Sequence, residues 1–112
     1  MTELVVHFSV DGERSVLSLA GELDLETVAE LRMHGQAELA AGRCQILTID
    51  MSDVTFVDSS GLGLLVELRQ LAAGSGVAFE LANVSPRVAR VIEIAGLTET
   101  LRVASGDSQP EA

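Results

Sequence analysis

Apolar and polar residues alternate at the start of the chain in the pattern of a β-hairpin. Residues 4–10 form a mostly apolar run, residues 15–20 alternate Val16, Ser18 and Ala20 with Leu17 and Leu19, and the polar segment 11–13 separates the two runs. Strict alternation puts apolar side chains on one face of a strand, and a glycine between two such runs is typical of a tight turn. In the second run, Leu17 and Leu19 mark the apolar face. The pattern predicts that the chain opens with two antiparallel strands.

Helical periodicity begins after this hairpin. The apolar positions of the first predicted helix are Val28, Leu31, Gly35 and Leu39. Asp24 can cap this helix, or Thr27 can do so through a capping box with Glu30, in which case the helix begins three residues later. Gly42 follows the last apolar position and is a typical residue for the end of a helix.

Strands and helices alternate through the rest of the chain. The pattern predicts a strand over residues 43–49, a leucine-rich helix over 62–73 and a strand over 77–82. A last helix begins at Ser85 and Pro86, in the favoured N-cap and N1 arrangement, and ends at Gly96. The residues expected on its buried face are Val88, Val91, Ile92 and Ala95. Residues 101–103 are expected to add a short edge strand or a last turn, and residues 105–112 a disordered tail.

A polar turn is expected between the central strand and the leucine-rich helix, and it ends in Asp58, Ser59, Ser60 and Gly61. Such residues are typical of helix N-termini, because a side-chain oxygen can accept hydrogen bonds from the first N–H groups. The same N–H groups and the positive end of the helix dipole stabilise an anion. A serine here can therefore cap the helix or carry a phosphate, and the local pattern leaves both open. The turn follows a strand predicted to be parallel to its neighbour, and open α/β sheets bind ligands at that edge.

The leucine-rich helix has more apolar residues than one buried stripe requires. Those expected to face the sheet are Leu65, Leu68 and Ala72. Leu62, Val66 and Leu64 would then lie on or near the flank beside the serines, where an exposed apolar surface could dock a partner. The alternative is that both faces of this helix are buried between the sheet and a neighbouring helix.

Composition excludes several classes of function. The formal net charge is −10, and all seven basic residues are arginines. Such a field repels nucleic acids and anionic lipid surfaces, so a nucleic-acid partner and direct membrane insertion are not expected. The single cysteine, Cys44, cannot form an internal disulfide, and neither a metal site nor a cofactor is indicated. No secretory signal is apparent, and a cytoplasmic location is expected.

Catalysis by this chain is not expected. It contains neither the G-x-S-x-G motif of serine hydrolases nor a P-loop, and it has no lysine. Asp58 adjoins Ser59, but an ordinary carboxylate is a poor base for a serine hydroxyl.

Three motifs in order resemble the STAS domain family, which includes the anti-sigma factor antagonists and the cytoplasmic domains of sulfate transporters. They are GELD at 21–24, Asp50 followed by FVDSSGLG at 56–63, and SPRV at 85–88 followed by GL at 96–97. The resemblance extends over about residues 4–103. It implies a single α/β domain over residues 1–104, with a mixed sheet of about four to five strands that opens with an antiparallel hairpin.

The resemblance also implies a function and its residues. In the antagonists, the serine directly after the aspartate is phosphorylated by the anti-sigma factor, a serine kinase, and that position here is Ser59. The unmodified protein binds the kinase and releases the sigma factor, phosphorylation abolishes the binding, and a serine phosphatase restores it. By position, Asp24, Asp58, Ser60, Gly61 and Leu62 would contribute to partner binding. Chemistry alone does not separate Ser59 from Ser60 as the acceptor.

Two other functions remain open at this level. The chain could be a non-catalytic STAS subunit of a lipid-transport or stress-signalling complex. Nucleotide binding is suggested only by the anion-compatible helix starts at Ser60 and Ser85.

Overall fold

The computed structural model describes residues 3–101, which form a four-stranded sheet with helices packed on it. The elements in chain order are β1 (Leu4–Asp11), β2 (Arg14–Leu23), α1 (Val28–Ala41), β3 (Ile46–Val57), α2 (Ser59–Gly74), β4 (Ala78–Ala82) and α3 (Pro86–Ile94). The strand order is β1-β2-β3-β4; β1 is antiparallel to β2, and the other two pairs are parallel. The predicted mixed α/β sheet with an opening hairpin is confirmed.

The hairpin turn consists of two residues, Gly12 and Glu13, between the paired residues Asp11 and Arg14. So short a turn is possible because Gly12 adopts a φ of +64°, in the left-handed region that glycine tolerates. The two crossovers that follow, through α1 and α2, both move one strand further across the sheet. Right-handed crossovers in the same direction place both helices on the same face. That face carries the core residues Leu17, Leu19, Leu47, Ile49, Phe79 and Leu81.

The helices α1 and α2 also pack closely against each other. An ideal Cβ built on Gly35 of α1 would lie 2.7 Å from Cδ2 of Leu68 on α2. Glycine at this position therefore lets the two helices approach more closely than any other residue would.

The third strand is longer than predicted. Residues 50–57, expected to form a polar turn, continue β3 as far as Val57. Register shifts against β2 interrupt the regular alternation in this region, and the buried residues Met51, Val54 and Val57 recur at every third position. A strand irregularity of this kind hides the two-residue period on which the sequence prediction depended.

Other boundaries follow the sequence with small corrections. Helix α1 begins after Thr27, the later of the two predicted starts, but the capping box does not form. The Thr27 hydroxyl oxygen accepts from the Asp24 N–H at 2.9 Å, and the Glu30 N–H donates to the Thr27 carbonyl instead. Helix α3 has the predicted cap, in which the Ser85 hydroxyl accepts from the Val88 N–H at 3.2 Å. Ala95, predicted to be buried, is exposed.

Leu101 is buried, and its N–H donates to the Leu97 carbonyl, so the described part of segment 101–103 is a turn. Residues 102–104 of the predicted domain and the predicted tail 105–112 lie outside the described residues. Among the residues described, no helix combines the length and the apolar character that a membrane span needs.

Candidate functional site

The candidate site is the start of α2, where β3 ends. Asp58 is the N-cap residue, in extended conformation, and its Oδ1 accepts a hydrogen bond from the Gly61 N–H at 3.0 Å. The cap is therefore the aspartate and not one of the serines, which occupy the first two positions of the helix. Because Asp58 satisfies one of the free N–H groups, neither serine hydroxyl is required to start this helix.

The backbone of the site is held against the end of β2. The Asp58 N–H donates to the Leu23 carbonyl at 3.2 Å. Gly61 is buried beside the same carbonyl, and an ideal Cβ on Gly61 would lie 2.6 Å from the Leu23 oxygen and 3.1 Å from Cγ1 of Val57. Glycine is thus needed here for close approach of two backbones, and the helix start is fixed in position by the ends of two parallel strands.

The two serines differ in exposure. Ser59 is exposed, whereas Ser60 is half-buried. The more exposed hydroxyl is the more accessible of two chemically similar groups to any enzyme that modifies one of them. The two serines, which are alike as residue types, thus differ in how accessible their hydroxyls are.

Asp24 directly follows Leu23, whose carbonyl accepts from the Asp58 N–H. Asp24 itself is only 8% exposed. Its Oδ1 accepts from the Glu26 N–H at 3.0 Å, and its carbonyl accepts from the N–H groups of Thr27 and Val28. The carboxylate therefore shapes the turn between β2 and α1. A direct contact of Asp24 with a partner stays a prediction.

The predicted apolar flank on α2 is wrong in part. Leu62 is 8% exposed and Leu64 is 2% exposed, and Val66 is half-buried. These side chains join the core because α2 packs against both the sheet and α1, which was the alternative left open. Partner binding by Leu62 stays a prediction, but its side chain offers little surface for it.

Two other apolar residues lie exposed at this edge of the sheet. Leu25 is 73% exposed in the turn after β2, and Phe56 is 49% exposed near the end of β3. Phe56 pairs with Glu22 and Val57 with Leu23, so the two strand ends that carry these residues are adjacent. We call Leu25 and Phe56 the apolar rim of the site. The apolar rim was not predicted from the sequence, although Leu25, an apolar residue isolated in the polar segment 24–27, is a signal of exposure.

An ion pair joins helices α1 and α2. The guanidinium of Arg32 on α1 donates to both carboxylate oxygens of Glu67 on α2, at 3.0 and 3.2 Å. This hydrogen bonding lowers the pKa of Glu67 and raises that of Arg32. Both side chains are about 40% exposed, so solvent weakens the pair.

No cluster of three or more His, Cys, Asp or Glu side chains that could hold a metal ion occurs in residues 3–101. The chemistry that the arrangement offers is an exposed hydroxyl at the positive end of a 16-residue helix, beside a carboxylate and an apolar rim. Such a surface suits recognition and modification by another protein.

The chain matches the family model described as "Mlab, STAS domain" over residues 6–103. It is 32% identical over 96 residues to the anti-sigma F factor antagonist of Lysinibacillus sphaericus. The matched region covers 82% of this chain and 81% of the relative.

Solved structures show the same fold. The crystal structure of an anti-sigma factor antagonist from Mycobacterium paratuberculosis is similar with a TM-score of 0.82 and 27% identity, over 92% of this chain and 86% of that chain. The structure of the Bacillus cell fate determinant SpoIIAA in its phosphorylated form is similar with a TM-score of 0.68 and 25% identity, over 90% and 92% of the two chains. With a family match that spans most of its length, this chain belongs to the STAS domain family.

Proposed function

We propose that this protein is an anti-sigma factor antagonist that is switched off by phosphorylation of Ser59. In its unmodified form it binds an anti-sigma factor, itself a serine kinase, and so releases the sigma factor. Phosphorylation of Ser59 abolishes the binding, and a serine phosphatase restores it. The protein contributes a binding surface to this cycle and no catalytic group of its own.

One observation carries the proposal: the exposed Ser59 directly follows Asp58, which caps α2 without help from either serine. The names of the relatives support the antagonist function, and a phosphorylated form of SpoIIAA shows that a protein of this fold carries a phosphate. Because the Ser59 hydroxyl is not needed for the cap, it can be modified without loss of the helix start.

The binding surface is proposed to combine Ser59 with the apolar rim of Leu25 and Phe56. Exposed apolar side chains beside a modifiable group are typical of a regulated protein interface. The net charge of −10 favours a partner with basic groups around its contact surface.

The size of the switch follows from the charge that is added. A phosphoserine carries about −1.5 to −2 charges, where the partner had been complementary to a neutral hydroxyl. A desolvated and crowded anion at the centre of an interface costs on the order of 3 to 5 kcal/mol. That loss weakens a complex roughly a hundred- to several-thousand-fold, which is enough to separate the two proteins at cellular concentrations.

Phosphate transfer is the direct test of the modified residue. The partner kinase is first recovered on the immobilised unmodified protein and identified by mass spectrometry, then incubated with ATP and the purified protein. Intact-mass analysis should show a single phosphate on the wild type and on Ser60→Ala, and none on Ser59→Ala. Phosphate on Ser60, or on a residue outside the site, would contradict the assignment.

Binding tests the switch itself. Ser59→Asp should weaken binding to the kinase at least about tenfold in calorimetry, with an unchanged circular dichroism spectrum. Gln70→Glu is the matched control, since Gln70 is exposed on α2 about 16 Å further along the helix and the variant adds the same single charge. If both variants bind as tightly as the wild type, the protein is a constitutive subunit of a complex and not a switched antagonist.

A further inference from the structure

The edge strand β1 exposes more apolar surface than the other strands. Val5 and Val10 are each 60% exposed and Phe8 is 39% exposed. The strand is eight residues long, its pairing with β2 runs without a register shift, and residues 4–10 contain no proline, lysine or acidic residue. Edge strands are normally protected from pairing by such residues, by bulges or by shortness, and β1 has none of these three protections; the guanidinium of Arg43 lies 5.2 Å from the centroid of the Phe8 ring, over the side chain and not over the backbone edge.

The free hydrogen-bonding groups of this edge can be assigned. The Glu22 N–H donates to the Glu3 carbonyl, and Asp11 and Arg14 close the two-residue hairpin turn. In an antiparallel pair, residues alternate between those bonded to the partner strand and those whose backbone groups point away. The odd-numbered residues of β1 therefore bond to β2. The N–H and C=O groups of Leu4, Val6, Phe8 and Val10 point outward.

We propose that β1 pairs with β1 of a second copy of this chain, antiparallel and with His7 on the two-fold axis. This register places Leu4 opposite Val10 and Val6 opposite Phe8 of the second copy. In this register the outward N–H and C=O groups of all four residues are paired, in about eight hydrogen bonds. A shift of the register by two residues in either direction would lose about two of these hydrogen bonds. The two sheets become one sheet of eight strands.

The side chains on the helix-covered face of β1 agree with this register. The four residues with outward backbone groups are all apolar and share the helix-covered face, since Phe8 pairs with Leu17 and Val6 with Leu19. Pairing would cover Phe8 and Val10 with apolar side chains of the second copy. The strand is thus its own complement in both hydrogen bonding and apolar pattern, which is what a two-fold interface requires.

Charge and area determine the strength of the dimer. Residues 4–10 are a stretch without acidic side chains in a strongly acidic protein, and like charges meet only at the ends, where Asp11 lies opposite Glu3 of the second copy. Two strands about 27 Å long bury less than the roughly 1,600 Å² of a standard stable interface. The dimer is therefore weak and reversible, and it tightens with salt because salt screens the repulsion.

Disulfide cross-linking tests the register. His7 and its copy form a non-hydrogen-bonded pair with Cα atoms about 4.5 Å apart, which is within the range for a disulfide. In a Cys44→Ala background, His7→Cys should form a covalent dimer under mild oxidation. Ser9→Cys is the matched control, because two copies of residue 9 would lie about 14 Å apart and should not cross-link. Equal cross-linking of both variants would overturn the register.

Sedimentation velocity tests the dimer without introduced thiols. The wild type should shift from monomer to dimer between about 5 and 500 µM, and His7→Asp, which places two carboxylates face to face, should weaken association at least tenfold. Gln70→Glu adds the same charge away from β1 and should associate as the wild type does. A wild type that stays monomeric at 500 µM, or a dimer unaffected by His7→Asp, would refute the proposal.

Discussion

Replacement of Gly61 by alanine should destabilise the protein, although alanine is the better helix former. The added Cβ would lie 2.6 Å from the Leu23 carbonyl oxygen and 2.9 Å from Cγ of Leu23, and a backbone atom cannot move aside as a side-chain end can. Overpacking of this kind costs about 1 to 3 kcal/mol, and the shift also strains the hydrogen bond from Asp58 to the same carbonyl. The gain in helix propensity offsets up to about 1 kcal/mol. Because two contacts lie under 3 Å, the cost falls toward the upper end of that range, and we expect a net loss of about 1 to 2 kcal/mol, or roughly 4 to 9 °C in Tm.

Gly63 provides the matched control, two residues further along α2. An ideal Cβ on Gly63 meets nothing within 4 Å, so Gly63→Ala should stabilise the helix by about 0.5 to 1 kcal/mol. Urea denaturation followed by circular dichroism at 222 nm measures both variants. If Gly61→Ala is as stable as Gly63→Ala, the contact between the helix start and the end of β2 does not have the rigidity that we assign to it.

Substitutions at three further residues test the contacts that hold the site and its helices. Asp58→Ala should lose about 1 kcal/mol in urea denaturation because the cap of α2 is lost, whereas Asp58→Asn, which keeps an accepting oxygen, should stay within a few tenths of the wild type. Glu38→Ala should cost about 2 to 3 kcal/mol, since the buried Ser15 hydroxyl donates to this carboxylate at 2.6 Å and would lose its acceptor; a change below 0.5 kcal/mol would contradict this. The hydrogen bond from Arg32 lowers the pKa of Glu67, so its contribution to stability is present above the usual value of 4.5 and is lost as the pH falls through the lowered one. The small difference between Glu67→Gln and the wild type at pH 7 should therefore shrink in thermal melts as the pH falls below 4.5, and a difference that stays constant down to the acid limit of folding would argue against the pair.

The elements that could be predicted from sequence are those whose signal is local. The hairpin follows from alternation around Gly12, and the start of α3 follows from Ser85 and Pro86, because each depends on residues within a few positions. The extension of β3 to Val57 was missed because its register shifts arise from pairing with β2, where the paired residues Ala20 and Asp53 are far apart in the chain.

The exposure of the site residues also depended on tertiary packing. Leu62 and the exposed Phe56 are both apolar residues near the same polar turn, and only the approach of α1 and the direction of β3 decide which of them is buried. The identity of the candidate acceptor was available from the resemblance, whereas its surroundings were not.

The position of Ser59 separates the proposed switch from the stability of the fold. A phosphate on this exposed first residue of α2 would face the Asp58 carboxylate, and two charges about 5 Å apart in water repel each other by about 1 kcal/mol per unit charge or less. The positive end of the helix dipole stabilises an anion placed there by about 0.3 to 1 kcal/mol. For a phosphate of about −1.5 to −2 charges the repulsion exceeds this stabilisation by about 1 kcal/mol, which is small beside the stability of a folded domain, so the modified chain stays folded. A partner that covers the site removes the water that screened the repulsion, and the same charge then acts against the complex alone.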